Sequence, residues 1–276
     1  MLLRTKGITK QFNGVYALKN TDFEIEAGEI HGLVGENGAG KSTLIKILAG
    51  VYTLDAGEIY WYDQPVEIAF PSQSFKLGIN VIHQDRNLIP SFNGIENAYL
   101  GLEYETKKDG FTVDWEKMRK RVVETTKALK IDLDLDLPAS ALSPAQRTML
   151  EIVRAMMTDS KLLILDEPTA SLTDKESELL FKLINLLKEK NTAVLYVTHR
   201  MDEIFRLTDR ITVLKNGEKV ATVLTKAMNK EKIISLMTDN WASEKLETVK
   251  KFGKTLLTVE HIQSKDKTVQ NVSFKV

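Results

Sequence analysis

The chain opens with short apolar runs separated by turn residues. Residues 2–9 and 16–25 predict two strands, with Asn13-Gly14 as the turn between them. Residues 30–34 form a compact apolar run that ends in a glycine-rich loop. Residues 41–50 then show helical spacing, with Leu44, Ile45, Leu48 and Ala49 on one face and Gly50 as the stop. Residues 79–82 predict a further short strand.

Residues 88–158 read as a mostly helical insertion. Asp114 is placed to cap a helix carrying Met118, Val122, Val123 and Leu129, and Ser143 to cap another carrying Leu150, Ile152, Val153 and Met156. Beyond it, strands and helices alternate. Residues 162–165 and 193–197 are continuous apolar runs of the buried-strand type. Between them Thr173 and Glu176 form a capping box ahead of Leu179, Leu180, Leu183, Ile184 and Leu187. Residues 211–214 and 220–223 flank Asn216-Gly217, a hairpin signal. Such alternation predicts an α/β fold with helices packed on a parallel sheet.

The end of the chain repeats its beginning. Residues 242–254 are polar and charged and read as a linker after a domain spanning residues 1–241. Leu256-Leu257-Thr258-Val259-Glu260-His261-Ile262 then echoes Leu2-Leu3-Arg4-Thr5-Lys6-Gly7-Ile8. Asn271-Val272-Ser273-Phe274-Lys275-Val276 echoes Asn20-Thr21-Asp22-Phe23-Glu24-Ile25. Residues 255–276 are therefore expected to start a second copy of the first domain, which makes the chain part of a protein about twice as long. The alternative is two unrelated amphipathic strands that happen to agree.

Composition narrows the chemistry. With 276 residues the prior is one to two domains. The absence of cysteine excludes disulfides and thiolate metal sites, and four histidines make a histidine-rich metal site a poor expectation. Lys+Arg and Asp+Glu are both 38, so the net charge is zero, and the chain lacks the basic excess of a nucleic-acid coat. No apolar run approaches the roughly 18 residues that a membrane span needs, and Met1 to Gly7 lacks a secretory core. These features predict a cytoplasmic location, with docking onto a membrane protein left open. Asp132, Asp134 and Asp136 resemble the start of a calcium loop, but Leu137 and Ser143 stand where that loop needs glycine and glutamate, so calcium is not expected. Arg119-Lys120-Arg121 and Lys250-Lys251 read as solvated faces rather than nucleic-acid patches, and Lys107-Lys108 is offset by nearby acids.

The glycine-rich loop carries the strongest signal. Gly35-Glu36-Asn37-Gly38-Ala39-Gly40-Lys41-Ser42 matches G-x-x-x-x-G-K-[ST] between a predicted strand and a predicted helix. Its backbone N–H groups are suited to cradle phosphate oxygens at a helix N-terminus, with Thr43 in the same first turn. Lys41 is expected to reach the β- and γ-phosphates and Ser42 to ligate Mg²⁺. Residues 161–167 form an apolar strand that ends in Asp166 and Glu167. Asp166 suits a second Mg²⁺ contact, and Glu167 is placed to polarise an attacking water.

Further motifs in this order resemble the ATP-binding subunit of ABC transporters, over nearly the whole chain. Gln84 in Val81-Ile82-His83-Gln84 resembles the family's Q-loop glutamine, Leu142-Ser143-Pro144-Ala145-Gln146 its signature, and Asp166-Glu167-Pro168-Thr169-Ala170-Ser171-Leu172-Thr173 its Walker B segment and D-loop. His199 in Val197-Thr198-His199-Arg200 resembles the switch histidine, and Phe12 stands where the family stacks an aromatic on adenine. The resemblance implies a P-loop NTPase of the ABC ATPase type, with an antiparallel β portion and a helical insertion. It implies ATP and Mg²⁺ as ligands, with Gln84 contacting Mg²⁺ or water and linking the core to the helical insertion, and His199 contacting the γ-phosphate.

The signature also reads locally as a well-made helix start, with Ser143 as cap, Pro144 at the first position and Gln146 closing a capping box. On the family reading the Ser143 hydroxyl and the Ala145 N–H bind a γ-phosphate held by a partner domain. Relatives usually carry two glycines at positions 144 and 145; proline removes a donor, and alanine adds a methyl. Together with Thr173 in the D-loop, Thr198-His199-Arg200-Met201-Asp202-Glu203-Ile204-Phe205 and the duplicated chain, this resembles ATPases of simple-sugar importers, which carry two ATP-binding domains in one polypeptide. The implied partners are the second ATP-binding domain, transmembrane permease subunits and an extracellular or periplasmic solute-binding protein, with no nucleic acid. The implied location is peripheral, on the inner face of the cell membrane. The rival expectation is a soluble ABC ATPase acting on ribosomes or nucleic acid.

Overall fold

The computed structural model describes residues 1–82, 88–107, 111–238, 257–264 and 270–275. Gln84, residues 242–254, Lys108 and Lys250-Lys251 lie outside these described residues. The chain divides into two units, Met1–Asp239 and Asn240–Val276.

In the first unit, β1 (Leu3–Phe12) and β2 (Val15–Ile25) pair antiparallel around Asn13 and Gly14, whose φ values of 50° and 83° are those of a primed hairpin turn. β3 (Ile30–Val34) runs into the glycine-rich loop and α1 (Lys41–Leu48). β4 (Ala56–Trp61) and β5 (Gln64–Val66) extend the hairpin into a four-stranded sheet of order β2-β1-β4-β5. α2 (Pro71–Lys76) precedes β6 (Ile79–Ile82). A helical stretch follows, with α3 (Gly94–Ala98), α4 (Trp115–Ala128) and α5 (Pro144–Met156). Then come β7 (Leu162–Asp166), α6 (Asp174–Glu189), β8 (Ala193–Val197) and α7 (Met201–Leu207). β9 (Arg210–Lys215), β10 (Glu218–Leu224) and α8 (Lys230–Met237) complete the unit.

The central sheet has the order β10-β9-β3-β8-β7-β6 and is parallel from β9 to β6. Apolar side chains cover both its faces, which explains the unbroken apolar runs. Leu162, Ile164 and Leu195 join one core with α1 and the antiparallel sheet. Their neighbours Leu163, Leu165, Val194 and Tyr196 join a second core with α4, α5 and α6.

The expected strands and capped helices are present, and the differences have physical reasons. Leu179 is 51% exposed, because α6 turns Leu180, Leu183, Ile184 and Leu187 inward and leaves Leu179 off that stripe. β4, β5, α2, α3 and α8 were not expected from the pattern. Each is short, and β4 offers only Ile59 and Trp61 as a buried alternation.

One polar group interrupts β3. His31 is fully buried; its Nδ1 lies 2.7 Å from Glu29 Oε1 and its Nε2 2.7 Å from Thr212 Oγ1. Thr212 Oγ1 lies 2.8 Å from Thr222 Oγ1, so the chain of bonds crosses from β3 through β9 to β10. Burial alone would push the Glu29 carboxyl up. The bond and charge of His31, the Glu26 N–H and the Arg210 charge outweigh it and hold the carboxyl below the usual glutamate value.

In the second unit β11 (Thr258–Ile262) pairs antiparallel with β12 (Val272–Lys275). Its register reproduces that of the first hairpin. Thr258↔Lys275, Val259↔Phe274 and Ile262↔Val272 correspond to Arg4↔Glu24, Thr5↔Phe23 and Ile8↔Thr21, with the irregularity at the same step. His261 (φ 52°) takes the place of Gly7 (φ 61°), and Asn271 (φ 53°) that of Asn20 (φ 48°). The Gly7 N–H donates to Asp22 at 2.8 Å, and the His261 N–H donates to Ser273 Oγ at 2.9 Å.

Thr212→Val removes the hydroxyl shared by His31 and Thr222 at constant shape. It is expected to cost about 1–3 kcal/mol of stability in urea unfolding. For Glu29 the folded carboxyl titrates below the unfolded one, so its contribution is present above the usual glutamate range and is lost as the pH falls through and below it. Glu29→Gln is therefore expected to flatten the acid limb of the stability–pH curve.

Candidate functional site

The parallel register brings three loops to one edge. Leu33 pairs with Val197, and Val197 pairs with Asp166, so β3, β8 and β7 end level with one another. Gly35, Glu167 and Thr198 leave from those ends, the carboxyl edge where open α/β sheets bind ligands. β6 ends beside β7, with Ile82 paired to Leu165; Gln84 follows, outside the described residues.

The glycine-rich loop is held from several sides. Gly40 has φ 104°, and a Cβ there would stand 2.6 Å from the Ala17 carbonyl oxygen on β2, so only glycine fits. The Gly217 N–H donates to Ala39 O at 3.1 Å, and the Lys19 N–H donates to Gly217 O at 2.8 Å. The antiparallel hairpin and the β9–β10 turn thus clamp the loop. Glu36, Asn37 and Gly38 stay exposed, and the space around Gly38 is open. Gly40 caps α1 without any side-chain bond, which leaves the amides of the first turn, at Lys41, Ser42 and Thr43, facing a positive helix end.

Lys41 folds back over its own loop. Its Nζ donates to Gly35 O at 2.7 Å and to Glu36 O at 3.0 Å. Burial lowers its pKa from the ordinary lysine value, and the negative charges of Glu167 and Asp166 act against that shift. The loop lysine and both acids therefore share one electrostatic environment. Ser42 offers a hydroxyl and Asp166 a carboxylate, hard oxygen donors that match the preference of Mg²⁺. An uncapped helix start, an open glycine and these donors fit a Mg²⁺-bound phosphate chain.

Glu167 and His199 meet directly. His199 Nδ1 lies 3.2 Å from Glu167 Oε1. Glu167 has φ 50°, a region that is sparsely populated for a residue with a side chain, and its N–H donates to Val197 O at 2.8 Å. The Glu167 side chain is half-buried and that of His199 is exposed.

Ser143, Ala145 and Gln146 belong to a separate construction. The Ser143 N–H donates to Gln146 Oε1 at 2.8 Å, and the Gln146 N–H donates to Ser143 Oγ at 3.3 Å. The Ser143 hydroxyl donates at 3.4 Å to Glu176 on α6. Glu176 also accepts the Thr173 N–H and hydroxyl, both at 2.9 Å, so one carboxylate serves the caps of α5 and α6. Ala145 is buried and Pro144 exposed.

Phe12, at the end of β1, is 40% exposed and so is not a core residue. Tyr52 meets its ring edge-on at 5.1 Å, and Lys10 Nζ lies 5.6 Å from the ring centre. Sequence reasoning missed Tyr52 as the brace of this ring, because nothing local distinguishes it from any half-buried aromatic. It also missed Glu203, a buried carboxylate that links the turns after β7 and β8. A glutamate in the first turn of a helix reads as an ordinary dipole-matching charge.

The ABC transporter family profile matches residues 18–170, which span the phosphate loop, Ser143 to Gln146, Asp166 and Glu167. Among curated relatives, the ribose import ATP-binding protein RbsA of Clostridium tetani is 40% identical, over 99% of this chain and 54% of its own length. A putative ribose/galactose/methyl galactoside import ATP-binding protein of Burkholderia cenocepacia is 44% identical, over 86% of this chain and 46% of its own. The galactose/methyl galactoside import ATP-binding protein MglA of Salmonella typhimurium is 38% identical, over 99% and 54%. The chain spans about half the length of the curated relatives it matches. Among solved structures, a nucleotide-free ATP-binding cassette from an ABC transporter superposes with a TM-score of 0.74 at 27% identity, covering 87% of this chain and 96% of that one. The ADP conformation of an ABC transporter cassette gives 0.73 at 26%, covering 87% and 95%. With the phosphate loop, the acidic strand end and the level strand termini in place, the chain belongs to the ABC transporter family and has the fold of its ATP-binding cassettes.

Proposed function

We propose that this chain binds and hydrolyses ATP to power import of a small solute, a simple sugar, through a membrane ABC transporter. The meeting of Glu167 and His199 beside the phosphate-loop lysine carries the reading. The sugar class rests on the relatives, which are named as ribose and galactose import ATP-binding proteins.

The residues divide the chemistry as follows. The amides from Gly35 to Thr43 and the Lys41 ammonium hold the phosphates, Phe12 stacks on adenine, and Ser42, Asp166 and Gln84 hold Mg²⁺. Bound Mg²⁺ supplies neutralisation of the charge that builds on the phosphoryl oxygens. Glu167 takes a proton from the attacking water, and His199 stabilises the γ-phosphate. Ser143, Ala145 and Gln146 serve the γ-phosphate held by a second ATP-binding domain, so that two domains close head to tail over two nucleotides. Residues 255–276 open that second domain in the same polypeptide, joined through residues 242–254. The matching register and bulge of the two hairpins support this.

Among the described residues no helix is long and apolar enough to cross a membrane. The import names of the relatives support a peripheral place on the inner face of the cell membrane. Permease subunits dock beside β6, in a groove lined by Val51, Pro71, Phe75, Asn80, Leu102 and Arg154, and a solute-binding protein serves them from outside. The soluble rival, acting on ribosomes or nucleic acid, shares the hydrolytic site, and the sugar-import names of the relatives favour transport over it.

Glu167→Gln is expected to leave ATP binding intact while turnover falls at least about tenfold, measured as phosphate release beside nucleotide binding. Unchanged turnover would sink the assignment of the base. The same variant is expected to be a monomer alone and a dimer with MgATP in light scattering. In that background Pro144→Gly restores an amide donor at the signature and is expected to tighten the MgATP-dependent dimer about tenfold. An unchanged dimer affinity would show that position 144 does not face the phosphate.

A further inference from the structure

The turn that carries Glu167 and the turn that carries His199 converge on one buried carboxylate. Glu203, in the first turn of α7, is 5% exposed. Its Oε1 accepts from Thr169 Oγ1 at 2.8 Å and lies 2.9 Å from an Arg200 guanidinium nitrogen. Its Oε2 accepts from the Tyr196 hydroxyl at 2.7 Å and lies 3.0 Å from Thr169 Oγ1. Thr169 stands two residues after Glu167, Arg200 follows His199, and Tyr196 immediately precedes the Val197 whose carbonyl accepts the Glu167 N–H. Burial, with the neighbouring Glu203 charge, pushes the Tyr196 hydroxyl far above the ordinary tyrosine value, so it remains a donor.

We infer that Glu203 is a positioning residue that sets the separation of Glu167 and His199; this rests on the reading of Glu167 as the base. Both dependent groups need such support. Glu167 sits at φ 50°, a conformation that persists only where its surroundings impose it. The His199 side chain is 71% exposed, so little packing orients it, and its place is set by the backbone on either side. Thr198 Oγ1 anchors that backbone by accepting the Arg200 N–H at 3.1 Å, and the Arg200–Glu203 pair anchors the next residue. A carboxylate has the lone pairs to receive all three donors at once, and an amide of the same shape does not. Glu203→Gln therefore turns an NH₂ group toward a hydroxyl or a guanidinium and loosens one turn from the other.

The test uses the full chain and three variants: Glu203→Gln, Thr169→Val and Thr169→Ser. Steady-state hydrolysis gives kcat and KM, and the imidazole ¹⁵N spectrum reports the tautomer of His199. Its signal is assigned by His199→Ala among the four histidines. The expected result for Glu203→Gln is a kcat lowered about tenfold or more with KM for ATP within about threefold, because misplacement of reacting groups acts on the chemical step. The His199 signal is expected to leave the position of an Nδ1–H bonded to a carboxylate. Thr169→Val should lower kcat in the same sense, and Thr169→Ser, which keeps the hydroxyl, should restore it. A wild-type kcat with an unmoved His199 signal overturns the inference, as does a loss that Thr169→Ser does not rescue relative to Thr169→Val. If Glu203→Gln fails to fold, the threonine pair decides alone, and equal activities overturn the inference. If Glu167→Gln keeps wild-type turnover, the base assignment fails by itself, and the ¹⁵N spectrum of Glu203→Gln still decides whether Glu203 holds the two turns together.

Discussion

The parallel register of β3, β8 and β7 is the constraint on which the rest of the structure depends. Leu33, Val197 and Asp166 stand side by side across three strands, so three loops leave the sheet at one level. A slip of one residue in β7 would turn Asp166 to the other face and carry Glu167 away from His199. That register is secured by apolar packing on both faces of the sheet, since Ile164 and Leu165 are each fully buried and belong to opposite cores. Hydrophobic burial far from any phosphate thus sets the geometry of the polar site.

The antiparallel hairpin acts on the same site. β2 runs against Gly40 and Gly217, and its backbone leaves no room for a side chain at Gly40. The phosphate loop is therefore shaped from outside as well as by its own glycines. The lysine bridging Gly35 O and Glu36 O closes it from within. The loop's shape is thus set by contacts within the protein itself.

Much of this was legible in the sequence because the relevant signals are local. Continuous apolar runs marked β7 and β8, Asn-Gly pairs marked the β1–β2 and β9–β10 hairpins, and capping residues marked α4, α5 and α6. The phosphate loop announced itself by spacing, and Asp166 and Glu167 by their position after a buried strand. What stayed hidden depends on tertiary partners. α3 has five residues, fewer than two turns, and shows no period. Leu179 and Leu180 are identical by composition, and only the rotation of α6 separates the exposed one from the buried one. Glu203 looks like a solvent-facing charge until Tyr196, Thr169 and Arg200 are seen around it.

On the proposed function, the local capping rule and phosphate binding compete for the same atoms at Ser143. The Ser143 oxygen already accepts from Gln146 N, and its single proton is directed at Glu176. A hydroxyl has one hydrogen to donate. A phosphate approaching this helix end must therefore draw that hydrogen away from Glu176 and also meet the charge of the Glu176 carboxylate. The bond to be broken is weak, at 3.4 Å, whereas Glu176 keeps two shorter bonds from Thr173 after Ser143 turns away. With Pro144 removing one amide donor, the hydroxyl carries a larger share of any phosphate contact here than in a signature with glycine at that position. On the proposed reading, the ease with which Ser143 exchanges Glu176 for phosphate then contributes, beside the helix dipole, to how firmly this end of the site closes.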